Sequence, residues 1–144
     1  MKTISLIFFI LLVVTLSAQA ESMTVVNVRS NIAMSDEDPV YRDYVIDVKD
    51  SNSLKKNLVV LIKRKVRLKN SDAKDVGDVE TAVGQLKIIH VDKKVAVARE
   101  YKIVPRENEI TLDYTSIMVG DEVDLTGAFI DSKTSKKADN QLDI

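Results

Sequence analysis

The sequence predicts an all-β fold, either a small antiparallel barrel or a sandwich of about six strands. Short segments in which apolar and polar residues alternate are separated by polar loops that contain Asp, Asn and Ser. These segments are rich in β-branched residues, which fit the pleated surface of a sheet better than a helix. Signals for helices are few. Several short strands without intervening helices favour antiparallel pairing.

A targeting segment precedes the predicted domain. Lys2 is followed by an almost unbroken apolar run over 4–16, and Ala18-Gln19-Ala20 has the small residues that a signal peptidase recognises. An uncleaved anchor is the alternative, but the apolar run is short for a spanning helix and the cleavage site is good. We therefore predict a signal peptide at 1–20, no transmembrane segment after cleavage, and a periplasmic or secreted bacterial protein.

Composition excludes several functional classes. The chain has 21 Lys and Arg against 22 Asp and Glu, a formal net charge of −1, which offers no electrostatic reason to expect a nucleic-acid partner. It contains no cysteine, so disulfides, thiol catalysis and zinc–thiolate sites are excluded. Stability must therefore come from packing and from the hydrogen bonds between strands.

The predicted single domain covers 21–130. Its strands are expected at 23–29, at 41–48, after the turn at 54–57, at 79–91, at 95–104 and after a turn within 117–125, with a short extended piece at 110–112. Polar loops are expected at 31–39 and 70–78. The residues at 131–144 carry little apolar surface, and we predict that they form a disordered tail.

The hairpin at 83–100 is the predicted hub of the domain, with its turn at Asp92-Lys93-Lys94. Gly84 opens one strand in this interpretation, and Gly120 opens the last one. Glycine at such positions suits a bulge or a tight corner in a closed barrel. We therefore predict that Gly84 and Gly120 are structural residues.

Catalytic chemistry has few candidates in this sequence. His90 is the one histidine, and it shares a predicted strand face with Leu86 and Ile88, so a packed or interfacial histidine is favoured over a general base. The motifs of serine hydrolases, P-loop proteins and zinc proteases are absent from the sequence. We predict that the protein is not an enzyme and has no catalytic residue and no cofactor. A hydrolase that uses two loop carboxylates is the remaining alternative.

A metal site is not expected either. Asp36 and Asp38 have the alternate spacing of a calcium loop, but the glycine and the closing glutamate of that motif are missing. We interpret this segment as an acidic surface loop.

Positive charge is concentrated around the third predicted strand. The candidate binding residues are Lys55, Lys56, Lys63, Arg64, Lys65 and Arg67. One interpretation is a basic stripe for an anionic partner, such as a cell-wall polymer or lipid headgroups. The other is neutralisation on a solvated face, because an acidic segment follows at once and could fold back over the stripe.

Four short segments follow one another in an order that one group of small envelope β-domains shares. The turn at 50–58 resembles a Gly-x-Lys-x-Gly turn, and 83–88 resembles a "G-x-L-x-V" strand. The small and branched residues at 95–99 resemble the strand that follows in those domains, and 117–123 is similar to their closing "I-x-x-G-D-x-V". Over about 42–125 the chain thus resembles the C-terminal domain of the flagellar assembly protein T and related domains.

This resemblance implies an SH3-like barrel that is used for assembly or surface binding and has no active-site residues. We therefore expect a non-catalytic structural or adaptor protein in a bacterial cell-envelope assembly. The resemblance implies that this assembly is flagellum-related and that the partner is an envelope or flagellar protein. The alternative is a module that binds an anionic polymer or lipid surface through the basic residues at 55–69.

Overall fold

The computed structural model describes residues 22–132, so the predicted signal peptide and residues 133–144 of the predicted tail lie outside the described residues. The elements of the described part are β1 (Met23–Ser30), β2 (Arg42–Asp47), a 3-10 turn (Ser51–Ser53), β3 (Leu58–Lys69), β4 (Asp75–Val91), β5 (Val95–Ile103) and β6 (Glu122–Ile130). No helix within 22–132 has the length and apolar character needed to cross a membrane.

The six strands form one closed antiparallel barrel. Their order around it is β1-β2-β5-β4-β3-β6, and β6 returns to pair with β1. This confirms the predicted all-β class and the predicted strand number, and it decides for a barrel rather than a sandwich. Closure pairs the two strands that would otherwise be the edges of the sheet.

The interior is filled by the inward-facing residues of every strand. The largest fully buried side chains of the described residues are Tyr44, Ile46, Ile62, Leu86, Ile88, Val25, Val59, Val60, Val83 and Asp121. All but one of these side chains are those of a hydrophobic core. The exception, Asp121, is described with its partners below.

Small residues on β5 make room for the largest core side chains on β2. Tyr44 lies directly opposite Ala98, and Ile46 lies directly opposite Ala96. All four residues are completely buried. Large residues facing small ones in this way fill a narrow barrel without voids, which explains why this part of β5 consists of alanine and valine.

Because neighbouring strands run in opposite directions, successive connections lie at alternate ends of the barrel. One end, which we call the loop end, carries the β1–β2 loop (31–41), the β3–β4 turn (70–74) and the β5–β6 loop (104–121). The other end, the turn end, carries the β2–β3 connection (48–57) and the tight β4–β5 turn (92–94).

β4 is longer than predicted, and β3 and β4 project together from the loop end as a two-stranded arm (residues 64–82). The predicted loop at 70–78 is wrong at its end, because β4 already begins at Asp75 and pairs there with Lys69. The polar residues at the start of β4 form a strand because each has a partner on β3, although their composition alone does not predict a strand. The predicted extended piece at 110–112 is not a strand, although Leu112 is buried.

Of the two glycines predicted to open strands, only Gly120 lies at the start of one. Gly84 does not open a strand but lies inside β4, next to register shifts against both β3 and β5. Gly120 does lie just before β6, has a φ of 93°, and donates its N–H to Val25 O at 2.8 Å. Gly120 therefore forms the corner at which β6 meets β1.

Asp131, the first residue of the segment predicted to be a tail, is bonded to the barrel. Asp131 donates its N–H to Asn57 O at 2.9 Å, and its carboxylate accepts a hydrogen bond from Lys87 Nζ at 3.2 Å. These contacts attach the end of β6 to β3 and β4.

Candidate functional site

The six basic residues that the sequence singled out do not form one surface. Lys55 and Lys56 are exposed in the connection before β3, at the turn end. Lys65 and Arg67 lie on the arm beyond the opposite end of the barrel. Because seven to nine residues of β3 separate its start from Lys65 and Arg67, and a strand advances about 3.3 Å per residue, the two groups are roughly 20 to 30 Å apart.

Cross-strand acids lie opposite the cations of the arm. Lys65 is paired with Glu80, Arg67 with Asp78, and Lys69 with Asp75 along the β3–β4 ladder. The ion pairs are loose: Lys65 Nζ lies 3.5 Å from an Asp78 oxygen and Arg67 Nε lies 3.4 Å from the other. Exposed pairs of this kind add only tenths of a kcal/mol each. They nevertheless cancel much of the positive charge of the arm.

Lys63 is engaged with β6. Its Nζ lies 2.5 Å from one carboxylate oxygen of Asp124. The Asp124 carboxylate also accepts a hydrogen bond from the Thr126 N–H at 2.8 Å. The hydrogen bond from Lys63, and then the one from Thr126, lower the pKa of Asp124 from 3.8 to about 2. The same contact raises the pKa of Lys63. The pair joins β3 to β6.

Arg64 is directed into the molecule, where it binds Asp121. Its Nε and one terminal nitrogen donate to the two carboxylate oxygens of Asp121 at 2.6 and 2.7 Å. The same guanidinium donates to Tyr114 O at 2.6 Å and to Ser116 O at 2.8 Å. The Arg64 side chain is 13% exposed and that of Asp121 only 2%. This cluster ties the β5–β6 loop to β3, and its guanidinium does not face an outside partner.

The β5–β6 loop also holds the other edge of the arm. Glu109 accepts a hydrogen bond from the hydroxyl of the buried Thr81 at 2.7 Å. Arg106 donates to the same hydroxyl at 3.3 Å and also to Ala82 O. The loop is therefore bonded to both strands at the base of the arm. It contacts β3 through Arg64, and β4 through Arg106 and Glu109.

The β1–β2 loop is braced by two of its own polar side chains. Asn31 accepts from the N–H of Tyr41 at 2.5 Å and donates its amide to Pro39 O at 3.0 Å. Asp38 accepts from the N–H groups of residues 34 and 35 at 2.9 and 3.1 Å. Bonds of this type hold a loop in one conformation without burying its apolar side chains. They also use one of the two carboxylates that had the spacing of a calcium loop.

This braced loop exposes apolar side chains. Ile32 is 85% exposed, Met34 is 90% exposed and Val40 is 60% exposed. Single exposed apolar residues are common on protein surfaces, but three large ones in one ordered loop are a feature of interaction sites. Asp36 and Glu37 lie between them in the sequence and add negative charge to the same loop.

A cleft of mixed polar and apolar lining lies at the loop end of the barrel. It is lined by Val40, Tyr41, Arg42, Arg99, Glu100, Ile103 and Ser116. The buried Tyr44 donates its hydroxyl to Glu100, one of these lining residues, at 3.5 Å. Burial, followed by the charge of Glu100, raises the pKa of Tyr44, so the phenol is neutral at physiological pH. A neutral phenol in this position can donate a hydrogen bond but does not act as a base.

His90, predicted to be packed or interfacial, does not pack in the core. A register shift between Ile88 and His90 inserts an extra residue into β4, which reverses the side-chain alternation and leaves His90 exposed. Within residues 22–132, no group of three His, Asp or Glu side chains is arranged to hold a metal ion.

Comparisons with known proteins give no match. No protein-family model matches the chain, and no curated protein or solved structure matches it either.

Proposed function

We propose that this protein is a non-catalytic adaptor in a bacterial cell-envelope assembly and that it binds a protein partner with the loop end of its barrel. The observation that carries the proposal is the braced β1–β2 loop, with Ile32, Met34 and Val40 exposed. A loop that is already ordered loses little conformational entropy on binding. Apolar side chains held in this way favour association with another protein.

The location in the envelope follows from the predicted signal peptide, and the assembly role follows from the resemblance to flagellar and related envelope domains. The flagellar apparatus is therefore the first assembly in which to look for the partner. Both parts of the proposal rest on the sequence.

Site-specific photo-crosslinking in the native host tests the adaptor role. We expect a photoreactive residue at position 34 to give one discrete crosslinked product with an envelope protein. The same residue at position 56, which is exposed at the turn end, is the matched control and should give none. Crosslinks at position 56 without any at 34 would contradict the proposal.

A paired substitution separates binding from folding. Ile32→Ser with Met34→Ser removes the apolar surface of the loop but leaves Asn31 and Asp38 in place. Because both side chains are exposed, the free energy of unfolding should change by less than about 0.5 kcal/mol. A photoreactive residue placed at position 40 of the same loop should crosslink the partner in the otherwise unchanged protein and should fail to do so in this variant. A persistent product would show that the loop does not bind the partner.

Binding of an anionic polymer or lipid surface through the basic residues is a second proposal. It is supported by the exposure of Lys55, Lys56, Lys65 and Arg67. It is the weaker of the two because acids lie opposite the arm cations and because the two basic groups are separated by the length of β3. Salt-sensitive binding to vesicles of anionic lipid, lost in Lys55→Gln with Lys56→Gln, is the result it requires.

A further inference from the structure

Among the described residues, the arm has an open strand edge on β4 and another on β3, and the β3 edge lies beside the β5–β6 loop. β3 pairs with β6 only as far as Lys63 opposite Glu122, whereas its pairing with β4 continues to Lys69 opposite Asp75. In the part of the chain that the structure describes, residues 64–69 therefore have a strand partner on one side only. Their backbone makes no hydrogen bond to the β5–β6 loop either.

The edge is open because β6 begins too late to cover it. Gly120, with a φ of 93°, turns the incoming chain toward β1, and Arg64 holds Asp121 at that corner. The β5–β6 loop passes this part of β3 as irregular chain. It leaves a groove beside β3.

The groove combines an open edge with apolar walls. It is lined by Arg64, Lys65, Val66, Arg67, Thr111, Leu112, Asp113, Tyr114 and Met118. Tyr114 is 71% exposed and Met118 is 42% exposed, so both side chains present apolar surface at its rim. Open backbone groups supply affinity in strand addition, and side-chain pockets beside them supply specificity.

The charges along the edge indicate what can occupy it. Lys65, Arg67 and Lys69 occupy alternate positions on one face of β3. A strand added at this edge would be the direct neighbour of these cations, whereas the acids of β4 would lie two strands away from it, beyond β3. A second copy of this chain, adding its own β3 antiparallel about Arg67, would place like charges opposite one another. The edge therefore selects against self-pairing.

We propose that this groove binds an extended segment of the partner protein as an added strand on β3, and that the segment alternates acidic with apolar residues. The acidic side chains lie beside Lys65 and Arg67. The apolar ones lie toward Val66, Tyr114 and Met118. Asp113, the one carboxylate in the lining, sits in the loop wall and leaves the strand edge itself positive. This inference rests on the proposed adaptor role and specifies the form of the partner.

A labelled peptide of alternating glutamate and valine is the probe, titrated into the purified exported protein. We expect saturable binding, with amide chemical-shift changes in residues 64–69 and not in residues 75–81 on the opposite edge of the arm. A peptide with lysine in place of glutamate should bind more weakly. Equal binding of the two peptides, or shifts confined to residues 75–81, would overturn the inference.

Backbone methylation of the peptide tests the mode of binding. Strand addition uses the main-chain N–H groups on one edge of the peptide, so N-methylation of that edge should weaken binding by at least about tenfold. N-methylation of alternate residues, on the other edge, should not. Loss of the same size from both edges, or from neither, is incompatible with an added strand.

Neutral substitutions test the protein side without forcing like charges together on the arm. Lys65→Gln with Arg67→Gln should weaken binding of the glutamate peptide, and Lys55→Gln with Lys56→Gln at the turn end is the matched control. The Ile32→Ser with Met34→Ser variant should bind the peptide normally. If the peptide fails to bind while the crosslink at position 34 is still formed, strand addition in the groove is rejected and the adaptor proposal stands. If the peptide binds but no crosslink forms at position 34, strand addition is supported and the β1–β2 loop is rejected as the partner-binding site.

Discussion

Arg64 is the residue on which the loop end of the barrel most depends. One guanidinium donates to both oxygens of Asp121 and to two carbonyls of the β5–β6 loop. The carboxylate it satisfies is almost fully buried, and a buried charge without a partner is strongly destabilising. The planar fork of donors is specific to arginine, so lysine cannot reproduce this arrangement.

Removing this guanidinium should destabilise the fold more than removing any other arm cation. We expect Arg64→Ala to lower the free energy of unfolding by about 3–5 kcal/mol, because Asp121 stays buried and loses its counter-ion. Arg67→Ala, which removes an exposed cation from the same strand, should change it by less than about 1 kcal/mol. Urea denaturation measures both. Equal midpoints for the two variants would show that the Arg64–Asp121 pair does not hold the loop.

Gly84 is required because of a close backbone approach. A Cβ at this position would lie 2.8 Å from Lys102 O and 3.0 Å from Ile117 Cδ1. The first of these atoms is backbone and cannot rotate away. We expect Gly84→Ala to destabilise the protein by about 1–3 kcal/mol, and Gly84→Val by more. His90→Ala, at an exposed site of the same strand, is the control in thermal unfolding. Equal stability of Gly84→Val and wild type would contradict this.

At the scale of the elements, the β3–β4 arm is a ribbon with a charged face and an apolar face. Its charged face alternates Lys and Arg on β3 with Asp and Glu on β4, and its apolar face pairs Val66 with Val79. Such opposite charges set the register of two strands, because a one-residue slip would move each cation away from its acid. The arm therefore keeps its shape beyond the barrel without a core of its own.

The Lys63–Asp124 pair makes the contact between β3 and β6 dependent on pH. Asp124 has a folded-state pKa of about 2, below its ordinary 3.8, so its contribution is present above pH 3.8 and is lost as the pH falls toward 2. The pKa of Lys63 is raised above 10.5, so its contribution is present below that pH and is lost above it. We expect the stability difference between wild type and Asp124→Asn to shrink below pH 3.8. Thermal unfolding across pH measures it, and a difference that grows on acidification would exclude the pair as its source.

At the scale of the whole molecule, the seam between β1 and β6 has fewer paired residues than any other strand pair of the described barrel. Only Met23–Val123 and Thr24–Glu122 are paired along it, and Val25 adds bonds to Asp121 O and Gly120 N. The β3–β4 ladder, by contrast, continues over eleven pairs. Barrel opening should therefore begin at the β1–β6 seam.

Native-state hydrogen exchange tests this order of opening. The amides of Val25 and Gly120 should exchange faster than those in the middle of β4, such as Leu86 and Ile88. Arg64→Ala should raise the exchange rate at Gly120 further, because it releases the corner that Asp121 holds. Uniform protection across the seam and β4 would indicate that the barrel opens as a single unit.

Much of the fold was predictable from local patterns. Alternation of apolar and polar residues located the strands, and the glycine at 120 located a corner, because both signals depend on neighbours in the chain. The bulge before His90 and the length of β4 were not predictable, because each depends on the partner strands. The same holds for the pairing of Arg64 with Asp121, which are 57 residues apart.

The sequence by itself determined that this is an antiparallel β-domain without disulfides, because composition and period-two patterning are local properties. Only the tertiary structure decided that the sheet closes into a barrel and that the β1–β2 and β5–β6 loops lie at one end. It also placed the basic residues in three separate settings: Arg64 is bonded to the buried Asp121, Lys65 and Arg67 lie opposite acids on the arm, and Lys55 and Lys56 lie at the turn end. It left the β3 edge open beside the β5–β6 loop. These outcomes depend on which strands become neighbours, and a linear pattern does not record that.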